Sequence, residues 1–264
     1  MIKLSAVAQS SLFAELNGKI ISKKNVRKTF PISDLSRLVL IYEVLSAIRS
    51  KKISLDTPLI VSEKISLFSK KDRSAAMHFQ IGEFFTVKQA IEILLIMSEK
   101  SAAYLLIEKI FGNLEKWRSE TARFLKQEKI DGLIYEPVGL ISREGRENLL
   151  SAISILKVIN KLVNDFPKIL AMTQKKQFIF QSDRQVQFYR NPNFKQRINN
   201  LQISAFFAEK NQKSSNFISV FKIKDKLYLS ELLAVDNTFF NREETADALI
   251  DNQFLEVEKQ LWQE

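Results

Sequence analysis

Apolar and polar positions alternate near the start of the chain, and this pattern predicts a β-hairpin. Residues 6–13 and 19–22 have the alternation of two half-buried strands. Asn17 and Gly18 lie between them, and an Asn-Gly pair is a strong signal for a tight hairpin turn.

The middle of the chain shows helical periodicity instead. In residues 38–49, apolar side chains recur at three- and four-residue spacing, which predicts an amphipathic helix. Thr86 is the predicted N-cap of the next helix, and Gly112 is the predicted stop of a helix over residues 101–110. The same periodicity predicts helices over residues 114–127 and 148–164.

Strand patterns return after residue 167. Short strands are predicted at 177–180 and 186–189, a hairpin over 217–235 turns at Lys224-Asp225, and a helix over about 242–262 closes the chain. The order of strands, helices, strands and helix predicts one domain of the α+β class, in which N- and C-terminal strands share an antiparallel sheet. The expected sheet lobe covers about residues 1–30 and 168–264, and an inserted helical lobe covers about 31–167.

Composition narrows the possible chemistry. The chain has no cysteine, which excludes disulfides, thiolate nucleophiles and cysteine-ligated metals. Its single histidine, His78, leaves no material for a multi-histidine metal site, and we interpret it as structural. Nothing in the sequence implies a cofactor.

The net charge of +10 allows an anionic partner, and much of the excess lies between residues 172 and 228. An anionic polymer and a membrane surface both fit this charge. Nucleic acid fits it less well, because the chain has no recognisable nucleic-acid-binding motif. No apolar run is long enough for a transmembrane helix, and the first residues do not form a complete secretory signal. A cytoplasmic chain and a chain whose signal was removed both remain open.

Several segments together resemble one known family. Ser-Asp-Leu-Ser-Arg-Leu at 33–38, Lys-Ile-Ser-Leu-Asp at 52–56 and Val-Ser-Glu-Lys at 61–64 occur in the order and spacing of the low-molecular-mass penicillin-binding D-alanyl-D-alanine carboxypeptidases. The resemblance continues at residues 82–87, 94–98, 101–103, 137–140 and 165–167. It implies a β-lactamase/transpeptidase-like fold, and it favours an extracytoplasmic location in the periplasm or at the cell surface, after removal of a signal.

The family works with three short motifs, of which Ser-x-x-Lys supplies the nucleophile and its base. The resemblance places this motif on residues 34–37, anchored by Tyr42 five residues beyond the expected lysine. Asp34 stands in the place of the serine and Arg37 in the place of the lysine. A carboxylate cannot replace the attacking hydroxyl, and an arginine that stays protonated is not a usable base.

The pair also has a structural interpretation. Asp34 is expected to begin a helix and to cap it, and Arg37 lies three residues on, within reach of an ion pair. Loss of such a cap costs about 0.5–2 kcal/mol. A frame shifted by one residue makes Ser33 the nucleophile, but Ser36 then stands where the base is needed.

The other two motifs are altered as well. Ser-x-Asn falls on residues 98–100, where Ser98 is kept and Lys100 replaces the asparagine. Lys-Thr-Gly, which the family carries on an edge strand, falls near Gln202, Ile203 and Ser204, and neither Lys-Thr-Gly nor Lys-Ser-Gly occurs anywhere in the chain.

These replacements favour a non-catalytic homologue with a binding or scaffolding role. The resemblance implies a peptidoglycan peptide or another cell-wall protein as its partner. The family cleft is either vestigial or still holds a peptide carboxylate through Arg37 and Lys100. An active hydrolase with relocated residues, in which Ser33 or Ser98 works with Lys100, remains the alternative.

Overall fold

A computed structural model describes residues 8–72, 75–141, 145–198, 201–210 and 214–236. These residues form two compact units. The sheet unit contains the described residues within 1–33, 149–174 and 193–264, and the helical unit contains those within 34–148 and 175–192.

The strands and helices follow one another along the chain within these limits. The strands are β1 (Ala8–Glu15), β2 (Ile20–Lys24), β3 (Thr29–Pro31), β4 (Pro58–Ile60), β5 (Phe84–Thr86), β6 (Gly132–Leu133), β7 (Leu149–Ser151), β8 (Gln177–Gln181), β9 (Val186–Arg190), β10 (Arg197–Ile198), β11 (Leu201–Lys210), β12 (Ser214–Ile223) and β13 (Lys226–Asp236). The helices are α1 (Arg37–Arg49), α2 (Glu63–Lys71), α3 (Val87–Met97), α4 (Lys100–Phe111), α5 (Leu114–Gln127), α6 (Ala152–Asp165) and α7 (Lys168–Thr173).

The sheet unit is built on an antiparallel sheet with the strand order β10-β11-β12-β13-β1-β2. Strand β1 pairs with β13, so the prediction that N- and C-terminal strands share one sheet is confirmed. The turn between β1 and β2 places Asn17 at φ +62°, the left-handed conformation that asparagine tolerates in a hairpin. One face of the sheet buries an aromatic core in which the rings of Phe13, Phe221 and Tyr228 contact one another.

Helix α6 begins later than the sequence predicts. Residues 149–151 form β7, which pairs with β3, and Ser151 then caps α6 by accepting a hydrogen bond from the backbone N–H of Ser154 at 3.2 Å. Leu149 and Leu150 fit the helical period but are used in a strand. Helix α6 packs against β1 and β13 and therefore belongs to the sheet unit, not to the helical lobe where the sequence placed it.

The helical unit has α3 and α4 near its centre, where most apolar side chains are buried. Its local signals act as predicted. Thr86 accepts from the backbone N–H of Gln89 at the start of α3, and Gly112 ends α4 at φ +85°. Helix α2 was not predicted, and the predicted helix over 242–262 lies outside the described residues. No helix in the described part of the chain is long and apolar enough to span a membrane.

The hairpin β8–β9 also changes place relative to the sequence expectation. Its strands form as predicted, but they belong to the helical unit. The ring of Phe180 lies 5.1 Å from that of Phe85 and 5.9 Å from that of Phe79, measured between centroids. These aromatic contacts hold the hairpin against the rest of the helical unit.

Candidate functional site

Asp34 and Arg37, the first pair of site residues, form a buried ion pair. Residues 33–36 make one turn of 310 helix, and α1 begins at Arg37. The Arg37 Nη1 atom lies 2.9 Å from Asp34 Oδ2 and donates to the Asp34 carbonyl at 3.1 Å. The Arg37 side chain is 0% exposed and that of Asp34 is 13% exposed.

The expected N-cap role of Asp34 is wrong. Ser36 occupies the N-cap position of α1, and its side chain makes no capping hydrogen bond. The 310 turn moves Asp34 ahead of that position and directs its carboxylate to the guanidinium of Arg37. The pair is therefore held by charge and burial, not by the free N–H groups of the helix.

The chemistry available to this pair is limited. Asp34 has no hydroxyl to attack a carbonyl, and a guanidinium donates hydrogen bonds but accepts no proton. Because Arg37 is fully buried, its cation is also not accessible to a ligand's carboxylate. Ser33, the alternative nucleophile, precedes the pair with φ +50°.

Lys100, at the place of the motif asparagine, is also engaged by an acid. Ser98 ends α3 with φ +57°, and Lys100 is the first residue of α4. The Lys100 Nζ atom donates to Asp72 Oδ2 at 2.8 Å, with 20% of the lysine side chain exposed. The sequence analysis missed Asp72, because nothing local links residues 28 positions apart.

Glu99, between the two motif positions, is a second residue that sequence reasoning missed. Its carboxylate caps α4 by accepting from the backbone N–H of Ser101 at 3.1 Å, and it accepts from the N–H of Ala76 at the same distance. Burial raises its pKa, and the charge of Asp72 adds to the effect, while the hydrogen bonds oppose it. The middle position of the motif is thus a structural anchor.

The residues that the resemblance assigns to the third motif lie on β11 in the sheet unit. Ile203 pairs with Phe221 and is buried in the aromatic core, so its side chain is not presented to a substrate. Gln202 is exposed and pairs with Arg197 of β10. The carbonyl of Ser204 accepts from a hydroxyl within the same unit. Strand β11 is therefore covered at Gln202 and is not the sheet edge there.

The structure brings some of the predicted residues into contact within the helical unit. Asp34 and Arg37 are joined to each other, and Lys100 is joined to Asp72, all within the helical unit. The residues of the third motif belong to the sheet unit.

Outside these motifs, two described carboxyl groups have a clearly raised pKa. Glu43 accepts from Trp117 Nε1 at 2.7 Å and from Thr121 Oγ1 at 2.8 Å, and burial raises its pKa to about 8. Glu231, on β13, has no hydrogen-bond partner for either oxygen among the described residues, and burial raises its pKa well above its ordinary value. Because burial raises the pKa of both groups, both bear on the pH dependence of stability.

Few other described residues are candidates for catalysis or metal binding. His78 Nδ1 lies 2.9 Å from the Ser69 carbonyl, in keeping with a structural role. Within the described ranges, no cluster of three or more His, Cys, Asp or Glu side chains is arranged to hold a metal ion.

Comparison with solved structures identifies the fold. Penicillin-binding protein 3 from Streptococcus pneumoniae, described as a peptidoglycan synthesis regulatory factor, matches with a TM-score of 0.85 and 20% identity over 96% of this chain and 73% of its own. Penicillin-binding protein 5 from Haemophilus influenzae matches with a TM-score of 0.81 and 18% identity over 94% and 71%. The ampicillin-bound penicillin-binding protein D2 from Listeria monocytogenes gives 0.72 and 19% over 95% and 96%. The predicted β-lactamase/transpeptidase-like fold is confirmed.

The sequence comparisons differ in what they detect. A search of curated proteins finds no significant match. The profile of the peptidase S11 family, described as D-alanyl-D-alanine carboxypeptidase, matches residues 3–206. That match covers most of the chain and agrees with the motifs placed above, so the chain belongs to the D-alanyl-D-alanine carboxypeptidase family.

Proposed function

We propose that this chain is a non-catalytic homologue of the D-alanyl-D-alanine carboxypeptidases, with a binding or scaffolding role linked to the bacterial cell wall. The observation that carries the proposal is the Asp34–Arg37 ion pair. The resemblance assigns this pair to the positions where the family motif has its nucleophile and its base. A buried guanidinium cannot take a proton from a hydroxyl, and no hydroxyl stands at the nucleophile position.

The alternative of relocated catalytic residues has less support. It requires Lys100 to remove a proton from Ser98 or Ser33. The Lys100 amino group donates to the Asp72 carboxylate at 2.8 Å, and an ammonium in such an ion pair has no lone pair for a proton. Lys100 could act as a base only after its amino group is released from the Asp72 carboxylate.

The family also supports an extracytoplasmic location, in the periplasm or at the cell surface, and a peptidoglycan peptide or another cell-wall protein as partner. Of the two cations expected in the cleft, Arg37 is buried and Lys100 is 20% exposed and held by Asp72. These contacts favour a scaffolding role over capture of a carboxylate by the two cations.

The test is acylation by a β-lactam. The protein is incubated with a fluorescent penicillin and its intact mass is measured, while release of D-alanine is followed with a peptide that ends in D-Ala-D-Ala. We expect neither an adduct nor D-alanine. A mass increase of one β-lactam, mapped to a serine and abolished by Ser33→Ala or Ser98→Ala, would overturn the proposal and identify the nucleophile.

A further inference from the structure

The β8–β9 hairpin presents apolar side chains on its outer face. Phe178 and Phe180 point inward and are buried, whereas the alternate side chains point outward. Ile179 pairs directly with Phe188 across the two strands. Ile179 is 51% exposed, Val186 57% and Phe188 78%, and we call these three residues the hairpin patch.

Hydrogen bonds hold the hairpin that carries the patch in place. The buried Glu83 carboxylate accepts from Ser182 Oγ at 2.6 Å and from Gln185 Nε2 at 2.7 Å, both in the hairpin turn. The backbone N–H of Phe84 donates to Asp183 Oδ1 at 2.8 Å in the same turn. These bonds and the aromatic contacts below the hairpin fix its orientation in the helical unit. The three apolar side chains are therefore displayed on ordered strands.

Cations flank the patch at its open end. Arg190 follows Phe188 on the same face of β9, and Lys176 immediately precedes β8. Lys88, in the first turn of α3, lines a shallow groove of about 670 Å³ together with Ile179 and Phe188. All three cations are exposed.

Most of the acidic groups near the patch are engaged. Asp183 accepts from the backbone at the turn, and Glu92, in the groove, is paired with Lys175 at 2.6 Å. Asp56 also lines the groove. The exposed cations therefore make the surface at the open end of the patch positively charged.

We propose that the hairpin patch docks this protein on an anionic lipid bilayer. Exposed apolar side chains flanked by cations suit the boundary between headgroups and acyl chains, where the apolar groups are buried and the cations contact phosphates. A hydrophilic polyanion would bind the cations but leave Phe188 and Ile179 in water. A second copy carries the same charge of +10, so its approach is opposed by repulsion. This inference goes beyond the proposed function and does not depend on it.

The experiment is co-sedimentation of the full chain with vesicles of phosphatidylcholine alone or mixed with phosphatidylglycerol. We expect binding only with phosphatidylglycerol, and weaker binding at high salt. Phe188→Ser should lower partitioning on the order of tenfold, because one large apolar side chain no longer enters the interface. Arg190→Gln should lower it about fivefold. Leu133→Ser, at a position 49% exposed but outside the patch, is the matched control and should bind like the parent.

Several results would overturn the proposal. They are no binding of the parent to phosphatidylglycerol vesicles, equal binding to phosphatidylcholine, and retained binding by Phe188→Ser. Equally strong binding to soluble polyphosphate would identify a polyanion site. A parent dimer that Phe188→Ser dissociates, without vesicle binding, would identify self-association. Ile179→Thr tests the same face independently, and an unchanged unfolding midpoint confirms that each variant is folded.

Discussion

Replacing Asp34 with alanine removes the charge partner of a guanidinium that solvent does not reach. Arg37 is 0% exposed, and its Nη1 atom lies 2.9 Å from the Asp34 carboxylate. Its contact with the Asp34 carbonyl at 3.1 Å survives in the variant, because that group belongs to the backbone. Asp34→Ala therefore takes the Asp34 carboxylate away from a fully buried cation.

The magnitude follows from this burial. A lost helix cap would cost about 0.5–2 kcal/mol. Breaking a buried ion pair by removing one partner costs about 3–5 kcal/mol, because the remaining charge stays out of water uncompensated. We expect Asp34→Ala to lower the free energy of unfolding by the larger amount, and Asp34→Asn by less, since an amide oxygen can still accept from Arg37.

The assay is urea unfolding with linear extrapolation of the unfolding free energy. The Asp34→Ala, Arg37→Met and combined variants form a double-mutant cycle. The combined variant should be more stable than Asp34→Ala alone, because it leaves no buried charge. Glu115→Ala is a matched control, since Glu115 pairs with Arg118 at the same three-residue spacing but is 80% exposed. That control should cost no more than about 1 kcal/mol.

The prediction is wrong if Asp34→Ala and Glu115→Ala change the unfolding free energy equally, within about 1 kcal/mol. It also fails if the combined variant is the least stable of the cycle. Either result would mean that burial of the guanidinium does not determine the cost, and a role for Asp34 in binding would gain support.

Three further predictions concern activity and buried carboxyl groups. Asp34→Ser combined with Arg37→Lys should not restore D-alanine release, because the other two motifs remain altered and oxyanion stabilisation needs the whole site; turnover would confine the damage to the first motif. The unfolding free energy should fall as pH rises from 4.5 to about 8, because burial raises the pKa of Glu43 to about 8 and the folded state then binds the proton more tightly than the unfolded state. Glu43→Gln should weaken this dependence of the unfolding free energy on pH, as measured by urea unfolding at several pH values. An unchanged dependence on pH would contradict the prediction. Glu231→Met should raise the unfolding free energy at pH 8 by on the order of 1–3 kcal/mol, because it removes a buried carboxyl that has no hydrogen-bond partner among the described residues; a lower urea midpoint would refute this.

Local signals were enough to predict many of the elements. The Asn17-Gly18 turn, the Thr86 cap and the Gly112 stop each act through neighbouring backbone atoms, so a few residues carry the information. The resemblance supplied the fold, because it preserves the order of motifs even where their residues have changed.

Assignments that depend on distant packing were less successful. Residues 149–151 fit a helical period, and only pairing with β3 makes them a strand. The unit to which the β8–β9 hairpin belongs depends on rings from residues about 100 positions away along the chain, which no local pattern records.

The contacts of the candidate site residues also depend on distant packing. The sequence predicted an ion pair between Asp34 and Arg37 from their spacing, and that pair is present. It did not predict complete burial of Arg37, which changes the expected stability effect of Asp34→Ala. The partner of Lys100 is Asp72, and the placement of both residues depends on the tertiary fold.

Complete burial of Arg37 also restricts the mutational paths open to this chain. Asp34→Ser alone would remove the Asp34 carboxylate from the buried guanidinium. Arg37→Lys alone would replace a planar group of five donors with a compact ammonium that does not fit the same contacts. Each single step toward Ser-x-x-Lys is therefore expected to give a less stable intermediate. Folding stability thus opposes a stepwise change of residues 34 and 37 to the serine and lysine of Ser-x-x-Lys.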